Sequence, residues 1–106
     1  MTIRYKNAKT DLTTTNATAV LTPDNATTAV IKSILVSEDS GNADTITLTI
    51  TAGSDVFSLF KVKAVSANGT VELLSAPLVL AESEILKATA ATQNRLHIVV
   101  SYMEIS

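Results

Sequence analysis

The chain has no cysteine, no tryptophan and a single histidine. Without cysteine there is neither a disulfide nor thiol chemistry. One histidine, His97, excludes a histidine cluster for zinc and leaves no spare for a Ser-His-Asp arrangement. Its strand neighbours Leu96 and Ile98 point to the opposite face, so it reads as an outward or interface residue. Glycine is confined to Gly41, Gly53 and Gly69, each alone in a turn, which is too sparse for a phosphate-binding loop. Tyr5, Phe57, Phe60 and Tyr102 are the whole aromatic set. The core must be aliphatic, and platforms for stacking sugars are scarce.

Charge is scarce as well. Charged residues make up 17% of the chain, against ~25% in an ordinary soluble domain. The 8 lysines and arginines are outnumbered by 10 acids, and they are spread from Arg4 to Arg95. Phosphate backbones need clustered cations, so no nucleic-acid partner is expected. No apolar run approaches the ~18 residues of a membrane helix, so no membrane partner is expected. Met1–Thr10 is polar where the apolar stretch of a secretory leader would sit.

What remains is Thr-rich, Asn-rich and aliphatic. At 106 residues the length suits one core. Thr2–Lys6 alternates, with Ile3 and Tyr5 on one side. Asn7–Asn16 is polar, with Leu12 as its only anchor, and reads as a loop or extended arm. Thr18–Thr22 is a short strand, followed by a Pro23-Asp24-Asn25 turn. Thr28–Ser37 is the most β-branched run and predicts a central strand. It sets Val30, Ile34 and Val36 on one face and Ile31 and Leu35 on the other. A buried outer face or a local bend would each account for that. Asp44–Thr51 (DTITLTIT) alternates cleanly, with Ile46, Leu48 and Ile50 inward and four threonines outward. Val56–Val65 is a strand, and Asn68-Gly69 suits a tight hairpin turn. Val71–Leu74 and Pro77–Leu80 are short extended pieces. Ile85–Ala90 reads as a strand, with a helical turn as the alternative, and Arg95–Ile105 closes the chain.

Short strands separated by turns predict an all-β fold: an antiparallel β-sandwich of jelly-roll type. Residues 1–17 form an N-terminal strand and short extended arm, and residues 18–106 a single domain.

No constellation carries chemistry. Glu38, Asp39 and Asp44 surround a turn but do not match a calcium-binding loop, and they read as solvated turn residues. Glu82 and Glu84 read the same way rather than as an acid–base pair. Sequons at Asn16, Asn25 and Asn68 fit chance in so Asn- and Thr-rich a chain. No enzyme, catalytic residue, cofactor or metal is expected.

The order of pieces carries a resemblance. TAVIKSILVS, an SGN turn, DTITLTI, FSLFKVKAVSANGTVELL, PLVLAESEILKATAAT and LHIVVSYMEIS follow one another from Thr28 to Ser106. This resembles small virion structural proteins of tailed bacteriophages, of the marine and cyanobacterial phage type. Their Gly-Asp turn stands here as Ser83-Glu84. The resemblance implies a β-sandwich module of the virion, assembled in the bacterial cytoplasm. Its implied partners are the major capsid protein or other virion proteins and copies of itself, commonly as trimers. A capsid decoration (cement) protein is the leading expectation. A tail, neck or fibre component is the alternative, and a free-standing glycan-binding module the further one. Ile3, Tyr5 and Leu12, on the N-terminal strand and arm, are the candidate interface residues.

Overall fold

The computed structural model describes residues 1–106 as nine strands with no helix. They are β1 Ile3–Leu12, β2 Thr18–Leu21, β3 Thr28–Glu38, β4 Asp44–Ala52 and β5 Asp55–Val65. The remainder are β6 Thr70–Glu72, β7 Leu78–Leu80, β8 Glu84–Ala90 and β9 Leu96–Ile105. Two antiparallel sheets result. One, sheet A, has the order β1-β9-β3-β6, with β7 pairing further along β3; the other, sheet B, has the order β2-β8-β4-β5. Residues 85–90 are strand, so the helical alternative does not hold.

The inner faces of the two sheets share one aliphatic core. Leu12, Ile31, Ile34 and Val36 of sheet A, with Leu96, Ile98 and Val100, meet Ile46, Leu48, Leu86 and Ala88 of sheet B. β4 alternates as its sequence predicts, with Ile46 and Leu48 fully buried and Thr45, Thr47, Thr49 and Thr51 half-buried on the outside.

β3 alternates only in halves. Ile31 pairs with Tyr102 and Ser33 with Ser101, so Lys32 is an extra residue bulged out of the ladder. A bulge reverses the side that later residues face. Ala29 and Ile31 therefore point inward before it, and Ile34 and Val36 point inward after it. The local bend explains why core residues of β3 fall on both sides of a simple alternation, while Val30 and Leu35 stay on the outer face.

The N-terminal arm is not an arm as far as Leu12. β1 pairs with β9 without a register shift from Ile3↔Ile105 to Leu12↔Leu96. Its even positions Ala8, Thr10 and Leu12 turn inward and its odd positions outward. Polarity concealed this, because Asn7, Lys9 and Asp11 all lie on the solvent side. Residues 13–17 alone remain irregular.

Asn68-Gly69 does not close a hairpin either. Its flanking strands β5 and β6 belong to different sheets. The turn keeps its local chemistry, with Asn68 at φ 55° and the Gly69 N–H donating to the Ser66 carbonyl at 2.9 Å. The tight hairpin is β4–β5, where Gly53 has φ 63°, as the first central residue of a type II′ turn requires.

Candidate functional surface

Two carboxylates complete the scaffold. Glu38 ends β3 and is 2% exposed. It accepts backbone N–H bonds from Ser40 at 2.8 Å, Gly41 at 3.0 Å, Asn42 at 3.1 Å and Asn68 at 3.0 Å, and the Ser40 hydroxyl donates to it as well. Burial alone would raise its pKa. The bonds from Ser40, Asn68 and Gly41 outweigh that and lower it to about 2. One buried side chain thus ties the β3–β4 crossover to the β5–β6 crossover, two of the connections that carry the chain between sheets. This corrects its reading as a solvated turn residue.

Glu72 fills the break between β6 and β7. It accepts from the Ser33 hydroxyl, from the Ile34 N–H at 2.8 Å and from the Leu74 N–H at 3.2 Å. Burial pushes its pKa up, and these bonds together bring it below the usual carboxylate range.

Three other acids do similar work. Asp44 accepts from the Thr92 N–H at 3.1 Å, and Glu84 accepts from the Ala81 N–H at 2.7 Å. Glu82 accepts from the Ala26 N–H. Glu82 and Glu84 each hold a turn, and neither is arranged against the other as an acid–base pair.

His97 lies on the outer face of sheet A between Asp11 and Asp39. Its Nε2 is 3.2 Å from Asp11 and its Nδ1 is 3.5 Å from Asp39. Register places Ser37 on its other flank, so Asp, His and Ser share one row across three strands. Both ring nitrogens face carboxylates rather than the Ser37 hydroxyl. No group of three or more His, Cys, Asp or Glu is arranged to hold a metal ion.

The outer face of sheet A also carries apolar rows. Pairing across sheet A sets Tyr5, Met103, Val30 and Val79 in one outward row, with Ile3 and Ile105 in the next. Tyr5 is 80% exposed, Val79 58% and Ile3 48%. A further row holds Lys9, Val99, Leu35 and Glu72, with Leu35 exposed. Of the interface candidates, Ile3 and Tyr5 lie on this surface. Leu12 does not, because it is fully buried in the core and has no surface to offer a partner.

Val30, Val79, Met103 and Ile105 complete the surface and were not read from the sequence as part of it. A signal existed in β9. Its even positions are the core series Leu96, Ile98 and Val100, which sends Met103 and Ile105 outward. No protein-family model matches the chain, and no curated protein matches it.

Proposed function

We propose that this chain is a non-enzymatic structural component of a phage particle, a capsid decoration (cement) protein that binds the assembled head and stabilises it. The observation that carries this reading is the exposed apolar surface on sheet A, built on a rigid sandwich. Contiguous apolar surface of this kind marks contact with another protein. The use of carboxylates as acceptors for turn N–H groups supports a mechanical rather than a chemical role. A jelly-roll fold belongs to the proposal. The strand orders β1-β9-β3-β6 and β2-β8-β4-β5 support it, with β6 and β7 as two pieces of one strand position. Double-sheet jelly rolls recur in viral capsid proteins. Ser83 supports the resemblance on which the virion assignment rests. It has φ 72°, the left-handed conformation glycine favours, where the resembled proteins carry Gly.

Cementing acts by mass action, since a partner that binds only the assembled shell stabilises it. The major capsid protein is the proposed partner. Protein stoichiometry of purified particles that carry this chain tests the reading. Abundance near that of the major capsid protein is the expected result. A few copies confined to one vertex would replace it with a tail or neck component.

A further inference from the structure

We infer that, in the chain free of any particle, the outer face of sheet A forms a two-fold interface between two copies, which binding to a shell would replace. The face is laid out in rows by the strand register. Counting across β1, β9, β3 and then β7 or β6, the rows are Tyr5-Met103-Val30-Val79, Lys9-Val99-Leu35-Glu72 and Asp11-His97-Ser37-Thr70. A two-fold axis along the strands, midway between β9 and β3, keeps each row and exchanges its ends. Met103 then faces Val30 of the copy, and Tyr5 faces its Val79. In the next row Val99 faces Leu35, and Lys9 faces Glu72. In the last, Asp11 meets Thr70 and His97 meets Ser37.

Within these three rows no like charges oppose each other, and the rows between them set Ile105 against Thr28 and Ser101 against Ser33. Lys9 has no ion-pair partner within its own chain, and Glu72 is held as a carboxylate at the opposite edge of the same row. Sheets stacked with aligned strands sit ~10 Å apart, within about 30° of each other, which this axis permits. The footprint is sufficient. Strands ~4.8 Å apart and ~3.4 Å of rise per residue give roughly 500 Å² per copy between Ile3 and Asp11, or ~1,000 Å² for both, the lower bound for a specific interface. The outer face of sheet B is built differently. Its central threonine ladder is uncharged, with Lys87 and Thr89 beside it, and its exposed large apolar residues Val56, Phe57 and Val62 all lie on the edge strand β5.

The resemblance implies a trimer, whereas the symmetry of this face fits a dimer. The inference rests on the face being a contact surface and not on what particle it serves. Particle stoichiometry tests the capsid reading, while the free chain tests this one, so the two fail separately.

Light scattering on the purified full chain at ~100 µM gives twice the 11.1 kDa of one chain. Lys9→Glu, which sets two acids face to face, weakens the dimer about tenfold. Val30→Asp makes it monomeric, while Thr47→Asp on sheet B leaves it dimeric. Circular dichroism reports whether each variant folds, and Lys9→Glu, exposed on an outer edge, decides the matter if Val30→Asp does not. A wild-type monomer at that concentration, a trimer, or a dimer indifferent to Lys9→Glu overturns the proposal.

Discussion

β3 and β4 are the inner strands of their sheets, and they reach that position by different means. β4 is regular. Its pairing with β8 runs unbroken from Ile46↔Ala90 to Ala52↔Glu84, and its misfits are passed to the edge strand β5, which carries two bulges against it. β3 takes its irregularity into its own middle. It bulges at Lys32, and its neighbour on one side is split into β6 and β7. Glu72 supplies the acceptors that an unbroken strand would have provided. The regular inner strand gives sheet B an unbroken threonine ladder along the middle of its outer face. The bulged strand instead distributes its apolar residues to both faces, with Ile31, Ile34 and Val36 inside and Val30 and Leu35 outside. The contact surface of sheet A therefore follows from the same local defect that bends it.

The largest effect should come from removing that defect. Deleting Lys32 restores simple alternation and forces one half of β3 to turn over. Returning Ile31 alone to water costs about 1.5–3 kcal/mol, before Ala29 and the register with β7 are counted. Lys32→Ala keeps the extra residue and loses only an exposed side chain, a change within about 0.5 kcal/mol. Urea unfolding separates the two, and equal midpoints would mean that the bulge does not set the facing of β3.

Glu38→Gln tests the second support of β3. The folded pKa, about 2, lies below the ordinary carboxylate value of 4.5. The carboxylate thus contributes stability that is complete above about pH 4.5 and is lost as the pH falls toward about 2. The amide that replaces it does not titrate and cannot accept as many N–H bonds with a full charge behind them. The variant is expected to be clearly less stable at neutral pH, with the gap to wild type closing between about pH 4.5 and 2. Parallel pH dependence of the two urea midpoints would remove Glu38 from its role as the tie between the crossovers.

This contrast also explains what could be read in advance. DTITLTIT reveals its own structure because one periodicity holds throughout. TAVIKSILVS does not, since a bulge leaves no mark of its own and Lys32 is an ordinary residue in a strand. Glu38 looked like turn punctuation because its burial depends on Asn68, thirty positions away in sequence. Leu12 reads as a contact residue because the polar residues around it hide a regular strand. The apolar face needed the pairing of four strands before its residues became neighbours. Before that, the sequence shows Ile3 and Tyr5 as a pair and β3 as a strand apolar on both faces.

The smallest effect sharpens the comparison from the side of sheet B and carries the opposite sign. Val62 in β5 has φ 54°, an outlier for a β-branched residue, and is 60% exposed. Its N–H reaches across to Thr47 Oγ1 at 3.1 Å, so the strained backbone is held by the outward ladder of β4. The left-handed conformation costs an L-residue about 1–2 kcal/mol, and glycine removes that cost while losing about 0.5–1 kcal/mol in chain entropy. Val62→Gly should stabilise the protein by about 0.5–1 kcal/mol. Thr47→Gly, at the facing position in β4, should destabilise it by about 1 kcal/mol, because there the backbone is regular and the β-branched side chain fits. Thermal melts of the two variants decide the point. If both lower the melting temperature alike, β5 is not where sheet B stores its irregularity.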